Sequence, residues 1–208
     1  MITLCWASKG GSGTTVVAAS IALSNAGPTL LVDLDRDQPL VLGLAEPDSP
    51  GVHDWLASTA PPSRLKALEV AVRPRLTMLP GGRWGTASPQ RWETLAHALA
   101  VEQRDVIVDV GTRPPPEALQ AIANRSWLVT RACYLALRSA ARATARPNGV
   151  VLVDEPGRAM RAADVEASLG APVVAIVLYD PAVGRAVDSG LLVSRLPMGL
   201  TRALRRAA

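Results

Sequence analysis

The seven residues Lys9-Gly10-Gly11-Ser12-Gly13-Thr14-Thr15 limit what this chain can become more than any other stretch. They follow the apolar run from Ile2 to Ala7, which reads as a short buried strand, and lead into Val16 to Leu23, which reads as a helix. Strand, glycine-rich turn and helix N-terminus together aim backbone N–H groups at one point, where an anion is favoured. The stretch therefore reads as a phosphate-binding loop. Such loops commonly end in Gly-Lys-[Ser/Thr], the lysine reaching the β- and γ-phosphates and the hydroxyl meeting Mg²⁺. Thr15 supplies the hydroxyl here, but Thr14 stands at the lysine position. Lys9 stands instead at the start of the glycines. It is one of only two lysines in the chain, the other being Lys66, so its place in the loop is informative.

The loop resembles the deviant phosphate loop of the ParA/MinD family of P-loop ATPases, Lys-Gly-Gly-x-Gly-Lys-[Thr/Ser]. The resemblance implies that Lys9, Gly10, Gly11, Ser12, Gly13, Thr14 and Thr15 bind ATP with Mg²⁺. In that family the early lysine, matched by Lys9, reaches across an ATP-sandwiched homodimer to the partner's phosphates. The second lysine, which acts within its own subunit, is replaced by Thr14.

Elsewhere the chain alternates apolar strands with helices. Strands are expected over Thr29–Asp33, Arg75–Pro80, Asp105–Asp109, Trp127–Thr130, Gly149–Val153 and Pro172–Leu178. Helices are expected over Pro89–Glu102, Pro116–Ala123, Leu135–Ala145, Ala162–Leu169 and Met198–Ala207. Gln38 to Pro74, with Pro39, Pro47, Pro50, Pro61 and Pro62, reads as looser, with short helical candidates at Val52–Ala57 and Ser63–Leu68. The alternation predicts an α/β fold, a mostly parallel, doubly wound P-loop NTPase sheet covered by helices on both faces. At 208 residues and 49% hydrophobic, one core and a single domain over residues 1–208 are expected.

Ligands of such sheets sit beyond the carboxyl ends of the strands, where three acids fall. Asp109-Val110-Gly111-Thr112 looks like a Walker B strand running into a switch loop: Asp109 can hold Mg²⁺ through water, and Gly111 lets the backbone approach the γ-phosphate. Asp33-Leu34-Asp35 resembles the family's Asp-x-Asp. By that resemblance Asp35 positions the attacking water, and Asp33 supports the magnesium site with Thr15 and Asp109. Alone, each acid could equally be a cap or a solvated turn. The resemblance continues through Asn124–Arg131, Ala163–Ile176, Tyr179-Asp180-Pro181 and Arg185–Gly190, where it is nearest to the CpaE/TadZ-like and Ssd-like branch of pilus-assembly and septum-site proteins.

Several departures carry consequences. Losing the loop lysine removes a charge-assisted contact worth roughly 1.5–3 kcal/mol and weakens turnover further. Ser8 replaces a glycine, Arg36-Asp37 replaces Pro-Gln, and Val153-Asp154-Glu155 stands where an adenine-reading Asn is common. Arg113 is either a substitute positive charge or a solvated loop arginine.

Arg138, Arg142 and Arg146 share one face if their helix is continuous, and the C-terminus is basic through Arg195, Arg202, Arg205 and Arg206. Non-specific DNA contact or an ordinary solvated arginine face both fit, and the net charge of +4 requires neither DNA nor lipid. Met198, Leu200 and Leu204 offer too little apolar surface for membrane anchoring. Without a signal peptide, a spanning run or a disulfide framework (only Cys5 and Cys133), a cytoplasmic location is expected. His53 and His97 lack partners at metal-ligand spacing, and Trp6, Trp55, Trp84, Trp92 and Trp127 read as core or loop anchors.

Three functions compete. One is a ParA/MinD-like ATP-dependent switch that positions a cargo (a DNA locus in chromosome or plasmid partitioning, a septum component, or a pilus or secretion machine) or answers to a regulatory protein. The second is a hydrolysis-deficient nucleotide-bound scaffold, favoured by Thr14 as the first is by Asp35, Asp109 and Thr15. The third, a dinucleotide-binding oxidoreductase, fits an acid about 20 residues after the glycines. It is set aside because the third glycine is missing and Lys9 would have no role.

Overall fold

The computed structural model describes residues 1–45, 48–83 and 85–205. Pro47, Trp84, Arg206 and the expected end of the last helix at Ala207 lie outside the described residues.

The apolar runs become strands β1 (Ile2–Trp6), β2 (Thr29–Asp33), β3 (Val70–Arg73), β4 (Leu76–Leu79), β5 (Asp105–Gly111), β6 (Arg125–Arg131), β7 (Gly149–Asp154) and β8 (Val173–Leu178). They form one sheet in the order β3-β4-β2-β5-β1-β6-β7-β8, parallel throughout except for the antiparallel β3–β4 pair at one edge. β1 and β2 are buried along their whole length, because both faces of the sheet are covered. Helices α1 (Thr14–Ser24), α2 (Gln38–Leu42), α3 (Val52–Leu56), α4 (Pro89–Ala100), α5 (Glu117–Ile122), α6 (Tyr134–Ala141), α7 (Ala162–Leu169), α8 (Pro181–Asp188) and α9 (Met198–Leu204) supply that cover.

The strand period of two splits the core cleanly. Cys5, Leu31 and Ile107 point to one face with Val17 and Ile21 of α1 and Leu200 and Leu204 of α9. Leu4, Leu30, Val32, Val106 and Val108 point to the other, where Leu95 and Leu99 of α4 and Leu119 of α5 meet them. α1 is buried nearly all round, and its Ala18, Ala19 and Ala22 let the sheet and neighbouring helices approach closely. Leu200 and Leu204 of α9 are spent in this core, and of its three large apolar side chains Met198 alone is exposed. Among the described residues, no helix is long and apolar enough to cross a membrane.

The structure corrects four expectations about elements. The stretch from Gln38 to Pro74 holds the two expected short helical segments, as α3 and a 3₁₀ turn at Pro62–Leu68, but also contains the unexpected α2 and edge strand β3. β3 alternates half-buried and exposed residues over only four positions, too few for the pattern to stand out. α8 appears after Tyr179, started by Asp180, whose carboxylate accepts from Ala182 N at 2.8 Å, and by Pro181. α6 ends at Ala141, because the chain turns there and buries Ala145 in the core. Arg142 therefore caps α6, and Arg146 lies beyond it with Nη1 donating to Ala141 O at 3.3 Å. Arg138, Arg142 and Arg146 do not form one helical stripe.

Arg104 ties the antiparallel edge to the body. Its guanidinium donates to both Glu69 oxygens (2.6 and 2.8 Å), to Thr77 Oγ1 (2.8 Å) and to Glu102 (2.7 and 3.0 Å). That hydrogen bonding holds the Glu102 carboxyl down to about 2. Arg104→Ala is expected to lower unfolding free energy by roughly 1.5–3 kcal/mol in denaturant titration at neutral pH. A depressed carboxyl stabilises above its ordinary pKa and loses that contribution as it protonates. The gap between wild type and variant should therefore narrow as pH falls from 4.5 towards 2.

Candidate functional site

The site lies where β1, β5 and β2 end side by side. The loop after β1 is pinned at its start: Ser8 Oγ donates to Ala136 O (3.2 Å), and Ser139 Oγ of α6 donates to Ser8 O (2.9 Å). Ser12 Oγ closes the loop on Lys9 O at 2.9 Å. Gly11 and Gly13 take φ of 76° and 85°, a left-handed conformation that glycine adopts without strain and other residues avoid. α1 begins at Thr14, and its first-turn N–H groups cannot find partners within the helix. Loop and helix together present a concentration of donors suited to phosphate. Lys9 is exposed, Thr15 half-buried, and Thr14 only 5% exposed.

Parallel pairing places Asp33 directly opposite Asp109, which in turn lies beside Cys5. Both carboxylates are fully buried. Asp33 accepts from Arg36 N (2.7 Å) and Gln38 N (3.3 Å), so it organises the turn after β2. Asp109 accepts from Gly111 N (3.1 Å) and Gln38 Nε2 (2.9 Å). Burial pushes both carboxyls up to about 7; at Asp109 repulsion from Asp33 adds to it, while at Asp33 the backbone donors oppose it. The same burial, reinforced by Asp109, pushes the Cys5 thiol well up and leaves it an inert core residue. Hard oxygen donors beside a phosphate-type loop suit Mg²⁺, which usually keeps waters and phosphates in its shell. Among the described residues, no group of three His, Cys, Asp or Glu side chains is arranged to hold a metal ion by itself.

Asp35 is half-buried and lies against Gly111. Burial raises its carboxyl, Asp37 adds to the rise, and the positive charge of Arg113 opposes it. Arg113 is exposed, yet its charge reaches this acid. Arg36 takes a φ of 76°, and its side chain packs over Gly81, where an added Cβ would fall 2.5 Å from Arg36 Cγ. Ala7 N donates to Gly111 O at 2.8 Å, joining the phosphate loop to the turn after β5.

The structure thus gathers Thr15, Asp33, Asp35, Asp109 and Gly111 at one rim, with Lys9 on the exposed side of the loop. It adds Gln38, which falls in the loose region expected from Gln38 to Pro74. The available signal was an amide three residues after Asp35, immediately before the apolar Pro39-Leu40-Val41-Leu42. Glu155, one of the acids after β7, is paired with Arg131 (2.6 Å) and with Arg158. His53 is buried with Nε2 bonded to Leu34 O at 3.0 Å, burial lowers its pKa, and it serves the turn after β2. His97 is exposed on α4. Trp6, Trp55 and Trp127 are buried anchors, and Trp92 is half-buried.

Sheet order, loop and strand-end acids define a P-loop NTPase fold of the ParA/MinD type. No family model and no curated protein matches the sequence. Among solved structures, a ParA family ATPase from Chlorobium tepidum is similar with a TM-score of 0.77 at 20% identity, covering 98% of this chain and 95% of that one. The cell division protein MinD of Aquifex aeolicus gives 0.77 at 18% identity, over 99% and 95% of the two chains. The septum site-determining protein MinD of Pyrococcus horikoshii, complexed with Mg-ADP, gives 0.74 at 20% identity, over 99% and 94%. At these identities the likeness is one of fold.

Proposed function

We propose that this chain is a ParA/MinD-like ATP-binding switch protein for intracellular positioning, built as one domain and working in the cytoplasm as a nucleotide-dependent homodimer. The observation that carries the reading is the pairing of Asp33 with Asp109 beside a glycine loop that opens α1. In this reading the loop from Lys9 to Thr15 and Gly111 cradle the phosphates, and Thr15, Asp33 and Asp109 hold Mg²⁺. The cation neutralises charge developing on the phosphates. Asp35 orients the attacking water, its place against Gly111 holding it at the rim. Exposed Lys9 reaches the partner subunit's nucleotide. The Mg-ADP bound by the Pyrococcus horikoshii protein supports the cofactor assignment. The resemblance to the CpaE/TadZ-like and Ssd-like branch points to septum or pilus machinery as cargo. DNA contact through Arg138, Arg142 and Arg146 is the weaker part of the reading, since the three are not aligned on one helix.

A second reading, a hydrolysis-deficient nucleotide-bound scaffold, is favoured by one observation: residue 14 is a buried threonine and brings no charge to the phosphates.

Calorimetric titration of nucleotide-stripped protein with Mg-ATP, followed by light scattering, tests the switch. Wild type should bind ATP and become dimeric with it. Lys9→Ala should bind ATP as a monomer and fail to dimerise. ATP binding without any change of mass in wild type would rule out the dimer switch, and dimerisation of Lys9→Ala would remove Lys9 from the interface.

A further inference from the structure

Gln38 belongs to neither the phosphate loop nor the Asp-x-Asp, yet it is fully buried between them (0% exposed). Its Nε2 donates to Asp109 Oδ2 at 2.9 Å and to Thr15 O at 3.0 Å, and its backbone N donates to Asp33 Oδ2 at 3.3 Å. One residue therefore joins the end of β5, the first turn of α1 and the turn after β2. The orientation of the amide is dictated by its neighbours: a flipped amide would press its oxygen against a carboxylate and a carbonyl, both acceptors. With nitrogen so fixed, Oε1 is buried with no donor among the described residues.

A buried acceptor without a donor is costly and needs a reason. This one shares a planar amide with the nitrogen that touches Asp109 and Thr15, next to two buried carboxylates. An anion brought there would meet only more acceptors. Water held by a cation brings the donors that Oε1 lacks and the charge that the carboxylates lack.

We propose that Gln38 is the positioning residue that couples the turn after β2 to the divalent cation of the bound nucleotide. Nε2 holds Asp109 in register with the Thr15 turn, and Oε1 accepts from a cation-held water. Because Gln38 also opens α2, which packs on α1 and α8, filling the site is transmitted to that helix. This rests on the nucleotide-site reading above.

The test compares wild type, Gln38→Leu and Gln38→Glu by ATP titration with Mg²⁺ and with a chelator. Wild type should gain affinity when Mg²⁺ is supplied. Gln38→Leu should bind metal-free ATP within about twofold of wild type, yet lose about tenfold of the Mg²⁺ gain, one charge-assisted contact's worth. Gln38→Glu restores an acceptor at the same position. It should keep the gain, melt lower than wild type in chelator, and recover with Mg²⁺ alone. A full Mg²⁺ gain in Gln38→Leu overturns the proposal. Should Gln38→Leu fail to fold, melting of Gln38→Glu decides: a larger Mg²⁺-induced rise than in wild type supports the role, and an equal or smaller one overturns it. Failure of wild type to bind ATP in either condition defeats the nucleotide reading itself, and shows before any variant is made.

Discussion

Thr14→Lys is expected to raise affinity for Mg-ATP by about 10- to 100-fold, and to raise single-turnover hydrolysis by more. Residue 14 opens α1 immediately after the left-handed Gly13, where the helix N-terminus and loop amides converge. Wild type brings a hydroxyl to this position, and the variant brings a full positive charge. A charge-assisted contact to phosphate contributes roughly 1.5–3 kcal/mol, which sets the range for binding. Charge on the transferring phosphoryl is worth more in the transition state than in the ground state, so the rate should respond more steeply than the affinity. Calorimetric titration and single-turnover assays on both proteins check the two parts. Binding by the variant alone would make the wild-type loop a relic pocket, whereas wild-type binding without turnover would favour the nucleotide-bound scaffold. Binding by neither would strip the loop of its phosphate role.

Gly111→Ala is expected to lose ATP turnover and about 1–3 kcal/mol of stability together. Gly111 sits at a φ of 71°, where a side chain costs roughly 1–2 kcal/mol. An added Cβ would also fall 2.6 Å from Asp35 Oδ2 and closer still to the rest of that carboxylate. Asp35 must therefore leave its place, or the turn must open. Opening it would strain the bonds from Gly111 N to Asp109 and from Ala7 N to Gly111 O. Denaturant unfolding reads the stability, and steady-state phosphate release reads the turnover. Gly10→Ala is the control for stability, since an added Cβ there meets nothing within 4 Å and the backbone is not left-handed. Turnover unchanged in Gly111→Ala would remove Asp35 from the reaction.

Much of the scaffold was legible because it is written in local runs. Ile2–Trp6, Thr29–Asp33 and Asp105–Asp109 are short, continuous and apolar, as strands covered on both faces must be. α2, β3 and α8 were not legible, and each is short with little internal period. β3 exists through its pairing with β4, and α8 through an Asp-Pro start and packing against the first core layer. The reach of α6 was overestimated, because what stops it is the burial of Ala145, a tertiary demand with no breaker at Ala141.

The sequence by itself determined that a strand, a glycine loop and a helix follow one another, that acids close two later strands, and that residue 14 carries no charge. Those are properties of neighbouring residues and their periodicity. Only the tertiary structure decided that Asp33 faces Asp109, that Asp35 lies against Gly111, and that Gln38 links both acids to the Thr15 turn. These contacts join segments up to 76 residues apart, and parallel pairing of β2 with β5 creates them. Local propensity is blind to that register, which is set by how two distant strands align their buried faces.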